Sequence, residues 1–114
     1  GSVIVKNNLL ISMGYNGYIP GAPHISRVED KHEQSIIHSE VNAIADCAKR
    51  GVSLFESKIY ITHYPCVNCF RSIAACEIKE VIYLEDYNNN PIVEQLALDS
   101  GILVRKLYIP LEKV

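Results

Sequence analysis

The sequence has no long apolar run and no block of like charges. None of its apolar runs approaches the roughly 20 residues that a membrane-spanning helix needs. No charged segment followed by an apolar stretch marks a secretory signal peptide. The formal net charge is −2 and the sequence pI is about 6.1, which disfavours a protein that grips the backbone of a nucleic acid. We therefore expect a cytoplasmic protein with no membrane association and no nucleic-acid partner.

The sequence also has no internal repeat, no low-complexity tract and no interdomain linker. Its 114 residues are the length of one domain. The apolar fraction of 48% is sufficient for a hydrophobic core. A chain this short buries only about two-thirds of its unfolded surface, so a bound metal or a partner subunit would add stability. We predict a single domain over residues 1–114.

The first third of the chain predicts strands and an ordered loop. Two short apolar runs, residues 3–6 and 9–13, flank Asn7-Asn8, which is typical of a β-hairpin with a two-residue turn. Residues 14–23 contain three glycines and two prolines, which predicts a loop without an element of its own.

The rest of the chain alternates helix and strand patterns. Apolar residues at helical spacing predict a helix from Ser39 to Arg50, and Gly51 is a typical stop. The other predicted elements are a strand over 58–62, a helix over 66–77, a strand over 81–84, a helix over 91–101 and a strand over 102–108; segment 25–34 is polar and shows no clear pattern. This order predicts an α/β fold, a three-layer α/β/α sandwich around a mixed five-stranded sheet whose strands 3, 4 and 5 are parallel.

Two of the predicted helices open with residues that can bind a metal ion. His38 stands at the start of the first helix with Glu40 close behind it, and the second opens with Cys66, followed one turn later by Cys69. Positions i and i+2 of a regular helix point about 200° apart, so His38 and Glu40 can share a site only at the very start of the helix. Parallel strands bring both helix starts to the edge where open α/β sheets bind ligands.

The number of ligands indicates the kind of site. His38, Cys66 and Cys69 would give three protein ligands, whereas structural zinc sites have four and catalytic sites keep one position for water. Glu40 would then lie beside the metal without binding it, placed to take a proton from that water. A structural zinc site and a thioredoxin-like redox pair of Cys66 and Cys69 stay open as alternatives. The redox pair accounts for neither His38 nor Glu40.

Several motifs together resemble one enzyme family. The pattern His-x-Glu followed by Pro-Cys-x-x-Cys is the signature of zinc deaminases. The segments that resemble motifs of the cytidine/deoxycytidylate deaminase superfamily are GYNGYIPG (14–21), HSEVNAI (38–44), YITHYPCVNCFRSI (60–73) and IKEVIYLEDY (78–87). The resemblance covers essentially the whole chain. It is strongest to deoxycytidylate (dCMP) deaminases and implies the cytidine deaminase type of fold.

The resemblance implies an activity and a set of site residues. The activity is zinc-dependent hydrolytic deamination of dCMP to dUMP and ammonia. Zn²⁺ would be held by His38, Cys66 and Cys69, with Glu40 as the catalytic carboxylate. The substrate-binding residues would be Asn16, Pro65 and Tyr87, with Tyr64 as a further candidate beside the pyrimidine ring. The resemblance also implies a homo-oligomer, with dCTP and dTTP as effectors. The alternatives are a deaminase of tRNA adenosine, of a nucleoside or of a free base, and a non-enzymatic zinc module.

The remaining cysteines and basic residues receive other roles. Cys47 and Cys76 lie in predicted helices and are expected to be buried rather than to bind the metal. The histidines expected in loops or on the surface are His24, His32 and His63. Arg71 and Lys58 are candidates, by charge alone, for contacts with a substrate phosphate.

Two departures from the family pattern bear on the structure. Ser39 stands where the family usually has Ala, a change that we expect to be tolerated. Family members carry a helix before the first strand, whereas this sequence opens at the strand. We therefore expect one face of the sheet to have fewer helices, with Ile4, Leu10 and Ile59 partly exposed.

Overall fold

The structure is a computed structural model that describes residues 1–86 and 89–108. Its elements are β1 (Ser2–Lys6), β2 (Leu9–Gly14), β3 (Gly17–Tyr18), β4 (Val28–Glu29), β5 (His32–Glu33), β6 (Ile36–Ile37), α1 (Ser39–Arg50), β7 (Lys58–His63), α2 (Val67–Ala75), β8 (Glu80–Glu85), α3 (Pro91–Ser100) and β9 (Leu103–Lys106). A five-stranded sheet has the order β2-β1-β7-β8-β9. β1 pairs antiparallel with β2 and β7, while β7, β8 and β9 are parallel. The predicted α/β fold with this mixed sheet is confirmed.

The helices follow the local signals of the sequence. α1 has the predicted bounds, and Gly51 ends it with a left-handed backbone at φ 67° and ψ 31°. α2 begins at Val67, because Cys66 has an extended backbone and caps the helix with its sulfur, and it ends at Ala75, before the predicted residue 77. α3 starts with a proline, whose missing N–H costs nothing at that position. In the described part of the chain, no helix has both the length and the apolar character that crossing a membrane requires.

Two short strand pairs lie outside the sequence prediction. β3, within the segment predicted as a loop, pairs antiparallel with β6. In the polar segment 25–34, β4 and β5 form a hairpin whose turn residues, Asp30 and Lys31, both have positive φ. Strands of two residues carry no apolar alternation, so the sequence pattern does not show them.

One face of the sheet carries the hydrophobic core. Side chains from β1, β7 and β8 pack there against residues of all three helices in a single cluster. Its fully buried members include Ile4, Ile59, Val81, Phe70 and Val93. Within residues 1–86 and 89–108, the helices therefore form one outer layer of the predicted sandwich.

The expected exposure of Ile4, Leu10 and Ile59 is correct for only one of them. Leu10 is 56% exposed, but Ile4 and Ile59 are fully buried, so the prediction for those two is wrong. Ile4 pairs with Ile59 and both point towards the helices, so the neighbouring pair of Val3 and Tyr60 points to the opposite face. Strand alternation separates the two sets of side chains but does not say which set meets the helices.

Candidate active site

Two helix starts meet near the carboxyl end of β7. His38 precedes α1 and has an extended backbone (φ −64°, ψ 150°), so the direction of its side chain does not follow the helical periodicity. Glu40 lies in the first turn of α1. Cys66 follows shortly after β7 and caps α2, where its Sγ accepts a hydrogen bond from the Cys69 N–H at 3.4 Å. The start of a helix, before the regular turns, is what allows His38 and Glu40 to reach one site.

His38, Cys66 and Cys69 form a group that fits one zinc ion. Their ligand atoms all lie within 4.8 Å of one another. His38 Nδ1 is 3.2 Å from Cys69 Sγ and 3.8 Å from Cys66 Sγ. Nitrogen and sulfur ligands of a tetrahedral zinc lie about 3.5 Å apart when the bonds have their ordinary lengths. The described residues contain no second group of this kind, and this one includes neither Cys47 nor Cys76.

Metal binding at this group would be coupled to the release of a proton. Burial raises the pKa of the Cys69 thiol, and the nearby Glu40 carboxylate and Cys66 sulfur raise it further. Because metals are bound by the thiolate, a divalent cation must displace this proton when it binds. The starts of α1 and α2 carry partial positive charge, which stabilises the anionic form of both sulfurs.

Glu40 lies in the same cavity as the metal group. The cavity has a volume of about 270 Å³ and is lined by His38, Cys66 and Glu40 among others. Glu40 is only 9% exposed, and its Oε1 accepts a hydrogen bond from Ser39 Oγ at 2.7 Å. A buried carboxylate beside a three-ligand metal group is placed for proton transfer to and from a substrate in that cavity.

Of the residues predicted to bind the substrate, some line the cavity and others do not. Asn16 and Tyr64 line the cavity, and Asn16 Oδ1 accepts the Ser39 N–H at 2.8 Å, which ties the loop after β2 to the start of α1. Pro65 is fully buried and does not line the cavity. Tyr87 lies outside the described residues. The roles of these four residues in substrate binding stay predictions.

The basic residues considered at the sequence level are spread over the molecule. Lys58 is at the amino end of β7, where it pairs with Glu80 at 3.6 Å. A strand of this length spans roughly 17 Å, so Lys58 does not reach a phosphate bound at the carboxyl end. Arg71 lies exposed on α2 and stays a candidate. His24 stacks on Tyr18 with the ring centres 4.8 Å apart and is not part of the metal group.

Thr62 and Ser39 are among the cavity-lining residues that were not identified from the sequence. Thr62 lies near the carboxyl end of β7, and its position where strands deliver ligand contacts was an available signal. Ser39 also lines the cavity and is 4% exposed. The sequence feature that could have identified Ser39 was a polar residue next to Glu40, where the family usually has Ala.

Gly14 allows the start of α1 to lie against the end of β2. A Cβ added at Gly14 would lie 2.3 Å from the Ser39 carbonyl oxygen and 2.7 Å from the Ala43 nitrogen, both backbone atoms. We expect Gly14→Ala to displace α1 and to lower the free energy of unfolding by about 1–3 kcal/mol, the usual cost of overpacking. Urea unfolding measures this loss.

Gly21→Ala is the matched control for that substitution. Gly21 has a φ of +83° but no atom within 4 Å of an added Cβ, so its cost comes from backbone strain alone. The G14A protein should also bind zinc more weakly than the G21A protein, because Ser39 lies between two residues of the site. Wild-type stability and zinc affinity in G14A would contradict the close contact.

The sequence and the structure are similar to those of known deaminases. Residues 1–85 match the family model described as the cytidine and deoxycytidylate deaminase zinc-binding region. ComE operon protein 2 of Bacillus subtilis is 40% identical over 113 residues, which cover 96% of this chain and 60% of that protein. Deoxycytidylate deaminase of enterobacteria phage T4 is 26% identical, over 91% of this chain and 76% of the phage protein. The chain thus spans about three-fifths of the length of the Bacillus relative.

A solved structure supplies the corresponding three-dimensional comparison. The dCMP deaminase from cyanophage S-TIM5, in complex with dCMP and dUMP, superposes with a TM-score of 0.80 at 29% identity. The match covers 93% of this chain and 79% of the cyanophage chain. The fold is therefore that of the cytidine deaminase type.

Proposed function

The chain belongs to the cytidine and deoxycytidylate deaminase family, and from that premise we propose that it catalyses the hydrolytic deamination of dCMP to dUMP and ammonia. The observation that carries this proposal is the geometry of the site. A zinc ion held by His38, Cys66 and Cys69 would keep one coordination position for water, and Glu40 lines the same cavity. The similarity to a dCMP deaminase solved with dCMP and dUMP supports a pyrimidine nucleotide as the substrate.

In the proposed reaction, zinc and the protein side chains have separate tasks. Zinc, when held by His38, Cys66 and Cys69, acts as a Lewis acid that lowers the pKa of water towards 7. Glu40 accepts a proton from the attacking water and delivers it to N3 of the cytosine ring. After attack at C4, Glu40 takes the second proton from the new C4 hydroxyl and passes it to the amine, so that C4=O forms, the C4–N bond breaks and ammonia leaves. The net reaction consumes one water for each dCMP.

The proposed substrate contacts are those that the cavity allows. Asn16, in the loop after β2, and Tyr64, in the segment after β7, both line the cavity. Tyr64 is half-buried and packs edge-on against Tyr83, with the ring centres 4.9 Å apart. A fixed aromatic ring at the cavity wall suits a planar base. Assembly into a homo-oligomer, regulation by dCTP and dTTP and a cytoplasmic location stay predictions.

A substrate panel tests this proposal. We expect zinc-loaded protein to release ammonia from dCMP with a higher kcat/KM than from CMP, deoxycytidine, cytosine or a tRNA containing the target adenosine. Removal of zinc by a chelator should abolish the activity, and added zinc should restore it. A Glu40→Gln preparation serves as the blank for contaminating deaminases. Faster turnover of deoxycytidine or cytosine would contradict the nucleotide substrate, and no ammonia from any compound would contradict the enzyme.

A further inference from the structure

Two buried hydroxyls form a chain of hydrogen bonds that ends on Glu40. Ser39 Oγ donates to Glu40 Oε1 at 2.7 Å, and Ser2 Oγ lies 2.6 Å from Ser39 Oγ. A hydroxyl has one proton to give. Since Ser39 gives its proton to the carboxylate, Ser2 is the donor in the second hydrogen bond. Both serines are 4% exposed, so water does not readily replace either partner.

The backbone fixes the position of Ser39 independently of its hydroxyl. Its N–H is held by Asn16 Oδ1 at 2.8 Å, and its carbonyl oxygen lies against the backbone of Gly14. The hydroxyl is therefore presented to Glu40 from a residue that has little freedom to move. A donor fixed in this way restricts the orientation of the carboxylate more than a solvent-exposed donor would.

We propose that Ser39 is a positioning residue for Glu40. It holds Oε1, so that the second carboxylate oxygen is directed to the proton transfers. This inference rests on the proposed role of Glu40 as the proton carrier.

The expected effect of removing the hydroxyl is on kcat rather than on KM. Ser39→Ala frees the carboxylate to sample other rotamers, and misplacement of a reacting group by about 1 Å can cost up to about 10²-fold in rate. We expect a loss of about tenfold in kcat, the lower range for losing one hydrogen bond to a charged group. KM and the zinc content should not change, because Ser39 is not a metal ligand.

Matched variants separate positioning from a packing effect. Ser39→Ala also leaves the Ser2 hydroxyl without its partner, which destabilises the protein by itself. The double variant Ser2→Ala/Ser39→Ala removes that unpaired group, so its stability should recover while kcat stays low. Ser2→Ala alone should lower kcat less than Ser39→Ala, because the bond from Ser39 to Glu40 remains. Ser39→Thr keeps a hydroxyl and should restore kcat, whereas Ser39→Val has the shape of threonine without a hydroxyl and should not.

A crystal structure of zinc-loaded Ser39→Ala supplies a readout that needs no turnover. Positioning predicts that the Glu40 side chain occupies more than one rotamer in this variant and one in the wild type. Wild-type kcat in Ser39→Ala, recovery of kcat in the double variant, or an unchanged Glu40 rotamer would overturn the inference. If the wild type deaminates a compound other than dCMP, the same comparison is made on that compound. If the wild type deaminates none of the compounds, the proposed function is wrong. The number of Glu40 rotamers in the Ser39→Ala structure then still tests whether Ser39 positions Glu40.

Discussion

Glu40→Gln is expected to abolish deamination while the protein keeps one zinc ion per chain. Glutamine has nearly the shape of glutamate and can still accept the hydrogen bond from Ser39 Oγ, but it cannot carry a proton. Each proton transfer by a positioned group contributes roughly 10²–10⁴-fold, and the proposed reaction uses Glu40 for more than one. We therefore expect kcat to fall by at least about 10³-fold. Steady-state ammonia release and metal analysis of the same preparation measure both halves of the prediction.

The control for this substitution is a carboxylate far from the cavity. Glu56 is exposed and precedes β7 at the end of the strand opposite to Cys66, so Glu56→Gln should retain wild-type turnover. A Glu40→Gln protein that keeps a tenth of the wild-type rate would contradict the assigned role. Loss of zinc in that variant would instead indicate that Glu40 is a ligand.

Cys69→Ser is expected to cause loss of zinc and of the stability that zinc provides. Cys69 is buried at the start of α2, and its sulfur lies 3.2 Å from His38 Nδ1. A serine hydroxyl stays protonated at neutral pH, so one of the two thiolates that neutralise the ion is lost. A ligand present at about 1,000 times its Kd stabilises the folded state by about 4 kcal/mol, and this contribution disappears when the ion no longer binds. Metal content and thermal unfolding with and without added zinc measure the loss.

Cys76→Ser distinguishes the loss of a ligand from the loss of a thiol. Cys76 caps the C-terminus of α2, is half-buried and lies outside the metal group. Its replacement should leave the zinc content at one ion per chain, and added zinc should raise the unfolding temperature of the metal-free variant as it does for the wild type. Stoichiometric zinc of wild-type affinity in Cys69→Ser would show that this sulfur does not bind the ion.

The sequence was sufficient for most of the metal site because its signals are local. His38 stands at the start of α1 and Cys66 at the start of α2, and both helix starts can be recognised from a few neighbouring residues. The three-residue spacing of Cys66 and Cys69 places them one turn apart. Residue chemistry then limits the ions that such a group accepts. The parallel order of the last three strands followed in the same way from the alternation of strands and helices.

The side on which the core forms was not determined locally. Alternation along β1 and β7 is equally consistent with burial of Ile4 and Ile59 or of Val3 and Tyr60. Packing of the three helices decides between the two sets. For the same reason the short pairs β3–β6 and β4–β5 became visible only in the folded chain, where the two members of each pair lie side by side.

By itself, the sequence predicted the His-Cys-Cys group that the fold brings together, the helix starts that present it and the carboxylate beside it. Only the tertiary structure showed what supports that carboxylate. Ser2 and Ser39 are 37 residues apart in the chain, and Gly14 reaches the backbone of Ser39 from a different element. Contacts of this kind depend on how a strand and a helix are stacked, because no periodicity within either element encodes the distance between them.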